Sequence, residues 1–143
     1  MLNDKLNALL ANYVAEFHKL QTYHWYVKGT NFFGAHVKLE EYYDAFFEGI
    51  DEIAEKMLMI GAEPIANMKE FSELTTIEEA KAEFIDDKSV FENVKADFEA
   101  LLAQVTELKA AADDEDNVLI SAFADEIIAN LAKNIWMIGQ MLA

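Results

Sequence analysis

Residues 23–56 read YHWYVKGTNFFGAHVKLEEYYDAFFEGIDEIAEK, a stretch holding two of the three histidines, His24 and His36, and an acid pair, Asp51 and Glu55. Its reading decides the fold, because it joins two long runs of helical periodicity. On its amino-terminal side Leu2, Leu6, Leu9, Tyr13, Phe17, Leu20 and His24 recur mostly at intervals of three and four. That spacing follows the helical turn and predicts a helix from about residue 3 to Lys28, stopped at Gly29. A second helix is expected after GTNFFG, with His36 in its first turn. It carries Leu39, Tyr43, Phe46, Ile50, Ile53, Met57 and Ile60 and ends at Gly61 and Pro64.

Beyond Pro64 the pattern loosens. Ile65 to Asp87 reads as a long connection with one short helix around Met68 to Ser72, and Thr76-Ile77-Glu78-Glu79 has capping-box form, which would also allow a turn or two of helix to begin there. A third helix follows from about Lys88 to Ala111 on Val90, Val94, Phe98, Leu101, Val105 and Leu108, and AAADDEDN breaks it. The fourth runs from about Val118 to Leu142 on Ile120, Phe123, Ile127, Leu131, Ile135 and Ile138, with Asp116 as its expected cap. Strand-like alternation is absent. Four helices of similar length, with short links inside each pair and a long link between the pairs, predict an all-α four-helix bundle with a crossover, a single domain over residues 1–143.

Composition narrows the function. The 27 acidic residues outweigh 11 basic ones, all lysine, for a net charge of −16. Such a surface repels phosphate backbones, so nucleic acid is an unexpected partner and small cations are the expected ones, although an acidic surface also serves plain solubility. The absence of cysteine excludes disulfides, zinc-thiolate knots and thiol nucleophiles. Asn3, Asp4 and Asn7 interrupt the amino terminus where a signal peptide needs an apolar run, and no stretch approaches a membrane span. The expectation is a soluble cytoplasmic protein.

The donor residues then set a geometric problem. Bundles that hold two metal ions in their core draw Glu-x-x-His motifs from two helices, and this chain has no such motif. Its histidines, His18, His24 and His36, all precede the second half of the second helix. Asp51 and Glu55 are four apart and share a helix face, with Phe47 and Leu58 on the same side. On an acidic helix such a pair is commonly just a solvated face. Two like charges beside apolar groups become costly unless a cation joins them. His36 and Asp51 are 15 positions apart, ~22 Å along a helix axis, whereas ligands of one ion lie within a few ångströms of one another. One chain cannot close such a site. If His24, His36, Asp51 and Glu55 share an ion, the histidines belong to one subunit and the carboxylates to its mate, twice over in a two-fold dimer.

These residues carry a family resemblance. HWYVKGTNFFGAH followed by DEIAE resembles the signature of the Dps family of mini-ferritins, in register from His24 through Glu55, and more loosely at MKEFSEL and KNIWM. The resemblance implies a ferritin-like bundle with a short helix in the middle connection, a hollow shell of twelve subunits, and ferroxidase sites at the two-fold interfaces. It implies that His24 and His36 of one subunit and Asp51 and Glu55 of another bind ferrous iron. Glu40 matches an acidic position that in some members adds a ligand, and Trp25 matches an aromatic kept near the iron, or else packs the interface. The mixed donor set suits iron and would also accept zinc or another divalent cation. The implied reaction is oxidation of Fe(II), by hydrogen peroxide in preference to dioxygen, followed by Fe(III) mineralisation. Two departures stand out: Lys56 replaces the usual Arg, which a point ammonium cannot mimic, and Asn134 replaces a His. His18 lies outside the motif and reads as a surface or packing residue. Asp116, Asp125 and Glu126 are candidates for an acidic iron-entry channel. The competing readings are a DNA-coating structural protein, which the lack of a basic tail opposes, and a catalytically inert acidic helical oligomer.

Overall fold

The computed structural model describes residues 1–143. Its elements are α1 (Leu2–Tyr26), β1 (Val27–Lys28), α2 (Phe32–Met59), α3 (Met68–Leu74), β2 (Ile85–Asp86), α4 (Asp87–Asp114) and α5 (Val118–Leu142). The protein is a four-helix bundle with a short helix in the connection between its second and third long helices. Tyr13 packs on Phe46 and His24 on His36, so α1 and α2 run antiparallel. Lys19 meets Asp97 and Asn12 meets Gln104, so α4 is antiparallel to α1 and therefore parallel to α2. Lys109 reaches Ser121, which returns α5 antiparallel to α4. One hydrophobic cluster joins all four long helices, with Leu6, Leu9, Leu20, Leu39, Ile53, Met57, Phe98, Leu101 and Ile120 fully shielded at its centre. No helix is long and apolar enough to cross a membrane.

Because α2 and α4 point the same way, the chain between them must travel the length of the bundle. It does so along α1, whose polar residues hold it. Glu63 N–H donates to Asn3 Oδ1, Asn7 Nδ2 donates to the Glu63 carbonyl, and Ile65 N–H donates to Asn7 Oδ1. Further on, the Thr75 hydroxyl and Thr76 N–H both donate to Asn12 Oδ1, at 2.7 and 2.8 Å. The route ends where Val27↔Ile85 and Lys28↔Asp86 pair as a two-residue parallel ladder. These strands lie outside the all-helical expectation, and two residues are too few to leave an alternation in the sequence.

Local boundaries differ from the pattern where capping chemistry competes. GTNFFG does not precede α2 as a whole: the helix begins at Phe32, placing Gly34 inside it and His36 in its second turn. The Thr76–Glu79 box forms no helix; Thr75 and Thr76 are engaged by Asn12 instead. The α4 helix continues through Ala111 to Asp114, beyond the expected break. Asn117, not Asp116, caps α5 by accepting from Ile120 N–H, while Asp116 takes the left-handed turn at φ 55° that ends the α4 side.

Candidate metal centre

His24 lies in the last turn of α1, just before the β1 ladder turns the chain, and His36 lies in the second turn of α2. The antiparallel hairpin brings the two rings face to face, centroids 3.6 Å apart and planes within 14°. His24 Nδ1 is 2.7 Å from the His36 carbonyl, and His36 Nδ1 is 2.7 Å from the His24 carbonyl. A carbonyl only accepts, so each Nδ1 must carry a proton, and in the neutral ring the lone pair is then on Nε2. Main-chain acceptors thus fix both imidazoles in the tautomer that a metal ligand requires.

The aromatic surroundings hold this pair. Phe32 stacks on the other face of His36, centroids 5.0 Å apart, and Tyr43 meets His24 edge-on at 5.3 Å. Sequence reasoning did not assign either ring to the histidines, although Phe32 is one turn before His36 and Tyr43 is two turns after it. His24 is buried, yet its Nε2 lies 3.7 Å from Glu40 Oε1, whose side chain is exposed. Glu40 therefore stands beside the imidazoles. Trp25 is 55% exposed and meets His18 edge-on, ring centroids 6.2 Å apart. His18 itself is exposed and bonds to Gln21.

Asp51 and Glu55 are both exposed, farther along the same continuous helix. Phe47 and Leu58 flank them at 63% and 62% exposure. Alongside runs a groove of about 760 Å³ lined by Phe17, Phe47, Ile50, Met68 and Phe71, between α1, α2 and α3. Within one chain, no three carboxylate or imidazole side chains converge to hold an ion. The structure pairs His24 with His36 and sets Glu40 beside His24 alone, and it leaves Asp51 and Glu55 farther along α2. Lys56 places its ammonium over the Phe123 ring, 5.1 Å from its centroid, rather than in an ion pair. Of the channel candidates, Asp125 is matched with Lys109 at 3.0 Å and Asp116 sits in the α4–α5 turn. Glu126 lines a separate acidic pocket with Glu48 and Glu52 between α2 and α5.

Comparison with known proteins bears on this arrangement. Residues 3–143 match the family model described as ferritin-like domain. A Bacillus anthracis relative called DNA protection during starvation protein 2 is 37% identical, over 96% of this chain and 93% of its own length. The chain belongs to the Dps family of ferritin-like proteins. A Dps crystal structure from Bacillus brevis superposes with a TM-score of 0.96 at 34% identity, covering 99% of this chain and 95% of that one. A Vibrio cholerae Dps, described as a member of a broad superfamily of ferritin-like diiron-carboxylate proteins, superposes at 0.95 with 31% identity, covering 99% and 89%. The likeness to these Dps proteins spans all four long helices and the crossover, including both ends of the His24–Glu55 segment.

Proposed function

We propose that this Dps protein is a ferroxidase that stores iron and removes its toxicity. In this reading Fe(II) is bound at dimer interfaces by His24 and His36 of one subunit with Asp51 and Glu55 of the other. The observation that carries the reading is the reciprocal histidine pair, in which main-chain carbonyls hold both Nδ1 atoms while His24 Nε2 lies 3.7 Å from Glu40 Oε1. The exposed apolar residues flanking Asp51 and Glu55 support their burial against a second subunit, where two carboxylates would balance the charge of a bound cation. Imidazole and carboxylate donors suit ferrous iron and admit zinc as a competitor.

In the proposed reaction each peroxide takes two electrons, one from each of two Fe(II) ions, and the Fe(III) product passes into a shell cavity to mineralise. Dioxygen is the slower alternative oxidant, the assembly is a dodecamer, and its place is the cytoplasm. The protection named in the curated relatives then follows from consuming Fe(II) and peroxide together. A net charge of −16 opposes coating DNA. Mixing subunits decides between this reading and an inert oligomer. A His24→Ala/His36→Ala chain and an Asp51→Ala/Glu55→Ala chain should each oxidise Fe(II) no faster than buffer. Co-assembled, they should regain part of the activity, because half of the sites in a mixed dimer have all four ligands. Wild-type protein oxidising Fe(II) only at the buffer rate would refute the reading, and mixtures as inactive as their parents would refute the shared site.

A further inference from the structure

Glu16 occupies the apolar stripe of α1 between Tyr13 and Leu20, and its side chain is wholly shielded from solvent. Neither of its carboxylate oxygens has a hydrogen-bond donor. Asp97 of α4 faces it, with a side chain only 15% exposed. Lys19, one turn along α1, is buried as well, and its Nζ lies 2.9 Å from Asp97 Oδ2. That approach supplies charge without hydrogen-bonding geometry, so Oδ2 also remains without a donor. The remaining titratable groups that bear on the cluster are the Tyr23 phenol of α1 and, beyond it, Glu78 of the crossover.

Two carboxylates and one ammonium leave an uncompensated negative charge inside the bundle, the arrangement that low dielectric penalises most. A single proton removes both defects. It neutralises the excess charge, and the O–H it creates gives the facing carboxylate a donor. Asp97 already has the ammonium, so the proton belongs on Glu16. We propose that Glu16 is a neutral carboxylic acid in the folded bundle, donating its proton to Asp97, and that this shared proton makes the α1–α4 seam sensitive to alkali.

Burial is the largest influence on Glu16, followed by the charge of Asp97. Together they hold its carboxyl well above the ordinary range, against a smaller pull from Lys19. The same field acts on Tyr23, whose phenol is pushed up to about 12 by burial first and then by Asp97, Glu16 and Glu78. A group whose folded-state pKa is raised contributes stability that is complete below its unfolded-state value and is lost as pH rises through the folded value. The seam is therefore tightest in acid and weakens toward alkali.

Thermal unfolding of the assembled wild-type protein and of Glu16→Gln, from about pH 5 to about pH 9, tests this. Glutamine keeps the shape and the donor without a titration, so the difference between the two proteins isolates this one group from the other carboxylates. The wild type should lose several degrees of melting temperature relative to Glu16→Gln as pH rises. A difference independent of pH would overturn the proposal. Should Glu16→Gln fail to assemble, infrared spectroscopy of wild-type protein with 13C-labelled glutamate still decides. The carbonyl stretch of a protonated glutamic acid at neutral pH supports the shared proton, and its absence refutes it.

Discussion

At the residue scale, each histidine of the pair is oriented by the other's main chain, so its alignment depends on the hairpin and on the rings that keep the stack closed. Phe32 covers the outer face of His36, and nothing else aromatic replaces it there. Phe32→Ala should leave the bundle folded and weaken anaerobic Fe(II) or Zn(II) binding by about 10-fold, the size expected when the support of a ligand is lost. Titration calorimetry on the assembled protein checks this, and an unchanged affinity would show that the two carbonyl bonds suffice. Glu16 is the opposite case, a charged residue type placed where the helical stripe demands an apolar one. Its position among Tyr13 and Leu20 was visible in the sequence. That Asp97 and Lys19 would meet it there was not, because they are brought in by packing of α4 on α1 and by a side-chain conformation.

At the element scale, the crossover explains why α1 is amphipathic in an uneven way. Its amide side chains at Asn3, Asn7 and Asn12 carry the connection that α2 and α4 need, and Asn12 is the busiest of them. Asn12 accepts from Thr75 and Thr76 and donates to Thr76 Oγ1 and Gln104 Oε1 at 3.0 and 2.8 Å. Asn12→Ala would remove the shared partner of Thr75, Thr76 and Gln104, which are only partly shielded from water, and should cost about 1–2 kcal/mol, given a net worth of about 0.5–1.5 kcal/mol per hydrogen bond. Hydrogen exchange should show the loss concentrated in the Thr75–Ile77 segment, and uniform loss across the bundle would contradict the anchoring role. Periodicity placed the four long helices, since burial of one stripe per helix leaves that signature. It failed at Thr76–Glu79 and at Asp116, because caps and turns are settled by which side chain reaches a free N–H first.

At the scale of the whole molecule, the separation of the two half-sites ties the proposed activity to assembly. Phe47 is 63% exposed and precedes Asp51 by one turn of α2. Phe47→Glu adds a charge to the surface that would meet a second subunit, and burying an unpaired charge is among the costliest changes an interface can suffer. The expected product is a monomer or weakened assembly with His24, His36, Asp51 and Glu55 intact and Fe(II) oxidation reduced to the buffer rate. Light scattering and an oxidation assay on the same sample check it. A monomer with full activity would mean that one chain suffices.

The sequence alone determined the helical architecture and the crossover with its short helix, and it supplied the donors proposed here in the segment from His24 to Glu55. It did so because both helical burial and the family motif are written in local spacing. It also determined that His36 and Asp51 could not meet within one chain, since a helix of fixed rise separates them. The tertiary structure decided the rest. Which ring nitrogen is free at each histidine depends on a carbonyl from the other helix, and the burial of Glu16 against Asp97 depends on two helices far apart in sequence. Neither is a property of any short segment, because hydrogen-bond partners and dielectric surroundings are set only when distant helices pack.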